Sequence, residues 1–156
     1  MEGAKERTYL MIKPDGIQRG LIGKILLRFE EKGFKLVGLK FRKPTKELVQ
    51  EHYAEHKGKP FFDKIVDTIC SGTVLCMVWE GKEVIKTART MIGATNPLNA
   101  APGTIRGDYA LESGKNIIHG SDGPESAARE IKLWFKEDEL VEWDSAMKDW
   151  IYEKLQ

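Results

Sequence analysis

Residues 116–124 read Asn-Ile-Ile-His-Gly-Ser-Asp-Gly-Pro, and this stretch joins two elements of different periodicity. Its first part, Asn116 to His119, is a short apolar run typical of a β-strand. The residues that follow favour a turn, and Pro124 is favoured in the first turn of a helix. A helical pattern continues from there to Phe135. The stretch predicts a strand that passes through a turn directly into a helix, and the other elements extend this unit.

The segments before this unit alternate between β-prone and helical patterns. Strands are predicted at Thr8 to Ile12, Phe34 to Phe41 and Val74 to Trp79, the last a continuous apolar run typical of a buried central strand. Helices are predicted from Leu21 to Phe29 with Gly33 as the stop, after the N-cap Thr45, and at Phe61 to Ile69, Glu83 to Met91 and Ser145 to Tyr152. Pro14-Asp15-Gly16 predicts a turn. Residues Ala94 to Lys115 show little periodicity and predict a long loop that is either functional or disordered.

The order of these elements predicts an α+β fold in which helices pack on one sheet. A chain of 156 residues without a linker or internal repeat fits one domain, residues 1–156. The 25 basic and 24 acidic residues nearly balance, which argues against nucleic acid or an anionic membrane as the main partner. Any bound phosphate must therefore meet a local cluster of cations.

Targeting signals and cysteine usage indicate the compartment. Met1 to Arg7 is charged, and no apolar stretch long enough for a signal peptide follows it. The longest apolar run, Val74 to Trp79, is too short to span a membrane. Cys70 and Cys76 do not form a C-x-x-C motif and are interpreted as core residues in a reducing compartment. We expect a cytoplasmic protein with no membrane partner.

Several common phosphate-binding motifs are missing from the sequence. Gly20 to Lys24 resembles a P-loop only superficially, because the spacing differs and no Ser or Thr follows the lysine. No G-x-G-x-x-G motif follows a strand, and the kinase motifs H-R-D and D-F-G are absent. A conventional kinase or dinucleotide site is therefore excluded.

The three histidines differ in their surroundings. His52 and His56 are four residues apart and would share a helix face, but no third ligand follows at metal-binding distance, so no metal site is predicted. His119 ends a strand beside a helix N-terminus, where free N–H groups favour phosphate. A neutral imidazole is a competent nucleophile toward phosphorus near pH 7.

A nucleophilic histidine needs a partner for its second nitrogen and cations for the phosphate. Glu130 lies beside the apolar face of its helix and could accept from His119, although these residues alone favour a solvated glutamate at the helix edge. Lys13, Arg89 and Arg106 stand at element ends or in the irregular loop, where side chains can converge on a site. Each of them could also be an ordinary surface cation.

The segment Asn116 to Asp122 strongly resembles the N-x-x-H-G-S-D signature of the nucleoside diphosphate kinases. The resemblance extends from Arg7 to Glu153. Further segments that resemble the family are Thr8 to Gly16, His52-Tyr53, Lys59 to Phe62, Val78 to Gly81, Thr95 to Pro97, Pro102 to Asp108 and Trp150 to Glu153.

The resemblance implies a role for each candidate residue. It implies that His119 takes the γ-phosphoryl group of a triphosphate and passes it to a diphosphate, and that Glu130 orients its ring. Lys13 and Asn116 resemble residues that bind the ribose and the transferring end of the nucleotide, and Phe61 resembles the platform for the base. The remaining implied positions are the phosphate grip of Arg89, Thr95 and Arg106, the bracing Tyr53, the nearby His56 and the hydroxyl of Ser121.

The resemblance also implies a fold, a cofactor and an assembly. It implies a ferredoxin-like βαββαβ sandwich whose antiparallel four-stranded sheet is covered by helices. Family members use Mg²⁺ that bridges the nucleotide phosphates, and longer members form hexamers of three dimers. The implied activity is a reversible ping-pong transfer between nucleoside di- and triphosphates with broad base specificity, because stacking on an aromatic ring tolerates any base.

Two positions depart from the common family pattern, and two rival functions remain. Lys115 stands where many relatives carry Arg, and Tyr109 stands where Phe is common; both bear on loop packing and assembly. One rival is an inactive or regulatory member of the family that only binds. The other is a different phosphohistidine enzyme, against which Phe61, Lys13 and Asn116 argue because such an enzyme needs no nucleoside platform.

Overall fold

Four antiparallel strands form one sheet in the computed structural model, which describes residues 3–154. The strands are β1 (Arg7–Ile12), β2 (Lys35–Arg42), β3 (Val74–Glu80) and β4 (Ile118–Gly120), and their order in the sheet is β2-β3-β1-β4. The expectations for the first two residues of the charged N-terminus and for the last two residues of the chain lie outside the described residues. This topology confirms the predicted α+β, ferredoxin-like fold.

Eight α-helices connect and cover the strands of the described range. They are α1 (Pro14–Gln18), α2 (Ile22–Lys32), α3 (Lys46–His52), α4 (Phe62–Cys70), α5 (Val84–Ile92), α6 (Ile105–Tyr109), α7 (Pro124–Trp134) and α8 (Lys148–Ile151). The predicted start of α3 is confirmed, because the Thr45 hydroxyl accepts the Leu48 N–H. Gly33 ends α2 in the left-handed conformation that favours glycine. No helix within residues 3–154 has the length and apolar composition to cross a membrane.

Both faces of the sheet are buried, which explains why β3 is apolar along its whole length. On one face, Leu10, Met77 and Trp79 pack with residues of α2 and α5. On the other, Tyr9 and Val78 pack with residues of α3, α4 and α7. Helices on both sides therefore hold β1 and β4 rigidly, and the ends of these two strands carry the site described below.

Three predicted segments differ from the structure. Pro14 to Gly16 is the first turn of α1 and not an isolated turn, since proline is well tolerated at a helix start. The segment predicted as irregular contains α6 and 3₁₀ turns at Pro97–Asn99 and Ser113–Lys115. Thr104 begins α6 by accepting the Gly107 N–H through its hydroxyl. The last predicted helix is reduced to α8.

Smaller differences concern β4 and the cysteines. β4 begins at Ile118 and not at Asn116, because Ile117 has a positive φ of 76° that no strand residue adopts. Cys76 is buried in β3 as predicted, whereas Cys70, at the end of α4, is only half-buried; both are free thiols.

Candidate active site

The junction between β4 and α7 brings His119 and Glu130 together. Nε2 of His119 lies 2.6 Å from Oε1 of Glu130, whose side chain projects from the second turn of the helix toward the strand. Glu130 is only 4% exposed, so the interpretation as a solvated helix-edge residue is wrong. An ionised carboxylate accepts hydrogen bonds and cannot donate, so the ring proton of His119 resides on Nε2 and Nδ1 keeps its lone pair.

Ser121 contacts the Glu130 carboxylate on the side away from the cavity. It is fully buried, and its hydroxyl donates to Oε1 of Glu130 at 2.9 Å and lies 3.2 Å from the carbonyl oxygen of Tyr9. Burial raises the pKa of Glu130, while the Ser121 hydroxyl opposes that rise. Burial, assisted by Lys13 and Arg89, lowers the pKa of His119 to about 3. The imidazole is therefore neutral at physiological pH, as a nucleophile requires.

Lys13, Asn116 and Thr95 form a chain of polar contacts along one wall. Nζ of Lys13 donates to Oδ1 of Asn116 at 2.6 Å. The Asn116 amide donates in turn to the carbonyl oxygen of Thr95 at 3.1 Å. Burial, together with the nearby Arg106, lowers the pKa of Lys13 to about 8. The ammonium group of Lys13 is thus held at the end of β1 by the segment that precedes His119.

The two arginines predicted to grip phosphate differ in how much of each guanidinium is free. Arg106 is buried, and its Nε, Nη1 and Nη2 donate to the carbonyl oxygens of Asn116, Gly93 and Ile118. These bonds occupy three of its five N–H groups. Arg89 is exposed and makes one such bond, to the carbonyl oxygen of Gly120 at 3.1 Å. Arg89 is therefore the freer of the two arginines for a ligand, and Arg106 also shapes the backbone.

Aromatic side chains form the opposite wall. Phe61 is 43% exposed before α4, with its ring centroid 5.4 Å from that of His56. Tyr53 stands edge-on to His119, with 6.3 Å between their ring centroids. The predicted shared helix face of His52 and His56 is wrong, because α3 ends at His52 and His56 lies in the 3₁₀ turn Ala54–His56.

These walls enclose a cavity of about 470 Å³. Every residue predicted for the site lines it except Ser121, which lies behind Glu130. A wider groove of about 840 Å³ shares Arg89, Thr95 and Asp122 with it and continues along α5. The lining also includes residues that the sequence did not single out for a role in the site: His52, Glu55, Lys64, Ile65, Thr68, Ile69, Ser113, Gly114, Gly120 and Asp122.

His52 is the most informative of the residues without a predicted role. Metal-ligating atoms of His52, His119 and Glu130 lie within 4.8 Å of one another. However, Trp134 Nε1–H donates to Nδ1 of His52 at 2.8 Å, and an indole nitrogen can only donate. Nδ1 is therefore the acceptor, Nε2 carries the proton, and the neutral ring has no lone pair left for a metal. Its position next to Tyr53 in the sequence was the only available signal.

A neutral histidine with a free ring nitrogen, a cluster of cations and an exposed aromatic ring around one cavity fit a phosphotransferase that acts on nucleotides. Comparisons with known proteins agree. The family model for nucleoside diphosphate kinase matches residues 6–140. The chain belongs to the nucleoside diphosphate kinase family.

Individual relatives cover nearly the whole chain. A nucleoside diphosphate kinase of Carboxydothermus hydrogenoformans is 63% identical over 148 residues, which are 95% of this chain and 99% of that protein. One of Drosophila melanogaster is 60% identical over 153 residues, 98% of this chain and 100% of the relative. The structure of a halophilic nucleoside diphosphate kinase from Halobacterium salinarum in complex with CDP has a TM-score of 0.94 and 54% identity, covering 96% of this chain and 99% of that one.

Proposed function

We propose that this nucleoside diphosphate kinase works in ping-pong order through a phosphohistidine at His119. The observation that carries the proposal is the 2.6 Å contact between His119 Nε2 and Glu130 Oε1. This contact fixes the ring proton on Nε2 and leaves the lone pair of Nδ1 free beside the cavity. Ser121 adds a hydrogen bond to the same carboxylate oxygen and helps to hold it in place.

The chemistry balances with no co-reactant other than the two nucleotides. The lone pair of Nδ1 forms a bond to the γ-phosphorus of a triphosphate as the bond from phosphorus to the β,γ-bridging oxygen breaks. The departing diphosphate keeps that electron pair and leaves the cavity. A terminal oxygen of an incoming diphosphate then attacks the phosphorus, and the N–P electron pair returns to Nδ1. Donor and acceptor are chemically alike, so one site serves both halves of a reversible reaction.

The cations around His119 are suited to the charge of the transferred group. Lys13, Arg89 and Arg106 each lower the pKa of His119, which places their positive field at its ring. A phosphoryl group in transfer spreads negative charge over its outer oxygens, and preorganised cations stabilise that charge. Thr95 and Tyr53 line the same cavity, and we assign them to orienting the phosphates.

The nucleoside end fits the aromatic wall. We assign the base to the exposed ring of Phe61, with His56 beside it, and the ribose hydroxyls to Lys13 and Asn116. Stacking on an aromatic side chain contributes roughly 1–3 kcal/mol per base and does not depend on which base is present. Recognition through ribose and phosphate therefore supports a broad base specificity.

Mg²⁺ fits this site as an ion carried by the nucleotide. Oε1 of Glu130 already accepts from His119 and Ser121, and Oδ1 of Asp122 accepts from Ser126 at 2.6 Å, so one oxygen of each carboxylate is engaged within the protein. Mg²⁺ typically keeps several waters and is bound largely through substrate phosphates. When bound, the ion supplies positive charge to those phosphates, while Arg89 and Lys13 approach them from the protein.

Labelling with γ-³²P-ATP tests the proposal directly. We expect label that is acid-labile and base-stable, at one per chain, and its complete discharge by added GDP to give GTP. His119→Gln removes the attacking nitrogen and should abolish both the label and the transfer. Glu137→Gln, an exposed substitution in the turn Glu137–Glu139, serves as the control and should behave as wild type.

Two other outcomes of this labelling would each favour a rival function. A protein that takes up no label would be a binding or scaffolding member of the family. A protein that keeps its label when any diphosphate is added would be a phosphohistidine enzyme of another kind. The exposed Phe61 and the Lys13–Asn116 pair argue against the second rival, because it has no use for a nucleoside platform.

We further propose a homohexamer built from three dimers. β2 is an edge strand, and its Leu39 and Phe41 side chains are 50% and 61% exposed; Trp150, in α8, is 84% exposed. Exposed apolar side chains on a sheet edge favour association with another chain. Light scattering should give a mass of six chains, and a stable monomer would contradict the assembly.

We also infer one domain over residues 1–156 and a cytoplasmic location. Two cores that share one sheet support the single domain. The free thiols of Cys70 and Cys76 are compatible with a reducing compartment. Limited proteolysis that yields no stable subfragment would support the first inference, and cell fractionation would test the second.

A further inference from the structure

The segment before His119 contains a strained backbone turn. Ile117 has a positive φ of 76°, and the Ile118 N–H donates to the carbonyl oxygen of Asn116 at 2.8 Å. A hydrogen bond between residues i and i+2 around a residue of this φ defines a γ-turn, a rare and strained form. A β-branched residue in this conformation persists only when its surroundings hold it there.

Contacts from three directions hold this turn. The carbonyl oxygen of Ile117 accepts the Lys13 N–H at 2.8 Å, and its own N–H donates to Oδ2 of Asp15 at 3.0 Å. Arg106 donates to the carbonyl oxygens on either side of Ile117. Gly16 allows the close approach of α1, since a Cβ there would lie 3.1 Å from the Ile117 carbonyl oxygen. Asp15 is thus the one side-chain acceptor for the N–H of the strained residue.

The second carboxylate oxygen of Asp15 is unusual. Oδ1 is buried and has no hydrogen-bond partner among the described residues. A carboxylate in that position retains much of its field at neighbouring charges, because the oxygen is buried and no donor among the described residues contacts it. Its field reaches two cations of the site, and it opposes the lowering of the pKa of both Lys13 and Arg106.

We propose that Asp15 is a positioning residue that holds the γ-turn at Ile117 and thereby fixes how Asn116 and His119 face the cavity. The inference rests on the proposed role of His119 and extends it. Asp15 does not line the cavity and acts through the backbone on the residues that do. Its negative charge has a second consequence, since it helps to keep the Lys13 ammonium protonated.

The charge of Lys13 depends on several groups. Burial and Arg106 lower its pKa to about 8, and Asp15 acts in the opposite direction. The field of Lys13 in turn lowers the pKa of His119 and of His52, which are both neutral near pH 7 and add no charge. Asp15 is therefore the acidic group whose negative charge favours the protonated form of Lys13.

Two substitutions separate the two effects. Asp15→Ala removes the acceptor, and the displaced turn should lower kcat by up to about 100-fold, the loss that a misplacement of about 1 Å can cause. Asp15→Asn keeps an oxygen that can accept the Ile117 N–H but removes the charge. Its kcat at pH 7 should stay closer to wild type, while the alkaline decline of kcat/KM should move to lower pH. A purely structural role of Asp15 would not change the pH of this alkaline decline.

Asp138→Asn is the matched control, because it removes an exposed carboxylate in the turn Glu137–Glu139. It should leave both kcat and the pH profile unchanged. Wild-type kcat in Asp15→Ala would overturn the inference, and so would an alkaline limb of Asp15→Asn that coincides with wild type. If Asp15→Ala does not fold, the profile of Asp15→Asn decides. Absence of label on wild-type His119 would instead overturn the proposed function.

Discussion

At the scale of the residue, the protonation state of His119 decides what the site can do. Burial in the cavity, assisted by three cations, disfavours a charged imidazole and lowers its pKa to about 3. Asp122 opposes that lowering without offsetting it, and the Glu130 carboxylate accepts a hydrogen bond from Nε2 of the ring. The balance leaves a neutral ring over the whole physiological range. The carboxylate then serves to orient the ring and not to ionise it.

The pH dependence of kcat/KM should follow Lys13 and not His119. A group whose pKa is lowered to about 8 is cationic below that pH, so binding of phosphate and ribose should weaken as pH rises through about 8. The neutral form of His119 persists well below pH 6.5, so no acid decline should occur near that value. Measuring kcat/KM from pH 5 to 10 gives the pKa values of the essential groups in the free enzyme. An acid decline of kcat/KM with its midpoint near pH 6.5 would contradict this assignment.

Residues of the cavity wall could be named from the sequence, because the family resemblance indicates their positions directly. What could not be predicted is which residues far apart in sequence form hydrogen bonds with one another. Arg106 donates to three carbonyl oxygens, which only the folded loop reveals. Asp15 was interpreted as part of a turn, since its contact with Ile117 joins positions 102 residues apart. His52 likewise shows its role only through Trp134.

At the scale of the element, the approach of α1 to the γ-turn depends on one missing side chain. A Cβ on Gly16 would lie 2.7 Å from Cγ2 of Ile12 and 3.1 Å from Cγ2 of Ile117. Gly23, in α2, has open space around the same position. The two glycines lie in neighbouring helices, so they form a matched pair for substitution by alanine.

Gly16→Ala should destabilise the protein by roughly 1–3 kcal/mol, as overpacking of a well-packed site does. Gly23→Ala should instead stabilise it by about 0.5–1 kcal/mol, because alanine loses less conformational freedom in a helix. Denaturant unfolding of both variants measures these changes. Destabilisation of similar size in both would show that contact with Ile12 and Ile117 is not the cause.

Helices and strands could be predicted where the sequence has a strong period, and not where capping and long-range contacts determine the structure. β3 and α7 follow from an apolar run and from a helical pattern begun by Pro124. The helix α6 was missed because five residues are too few to show a period, and its stability comes from the Thr104 cap and from Arg28, which donates to Asp108 and to the Gly103 carbonyl oxygen. Long-range contacts of this kind leave no local pattern.

At the scale of the whole molecule, two buried histidines couple stability to pH. Burial lowers the pKa of His52 well below its usual range, and burial with cations lowers that of His119 to about 3. Both rings regain an ordinary pKa near 6.5 on unfolding. Between about pH 6.5 and 3 the unfolded chain therefore binds more protons, and stability falls as pH falls.

We expect the free energy of unfolding to decline below about pH 6.5, by up to roughly 1.4 kcal/mol per pH unit for each of the two histidines. In His119→Asn this slope should be shallower, because one titrating ring is gone. Urea titrations at a fixed protein concentration between pH 4 and 8 measure it. Parallel pH curves for wild type and variant would contradict the coupling.

The hydrogen bond from Trp134 to His52 determines which of two adjacent imidazole rings can react with an electrophile. The centroids of His52 and His119 are only 4.5 Å apart, so an electrophile that reaches one is close to the other. In His52 the indole occupies the basic nitrogen and the second nitrogen is protonated, which makes that imidazole chemically silent. A tryptophan in the core thereby ensures that a pair of adjacent histidines presents a single point of attack.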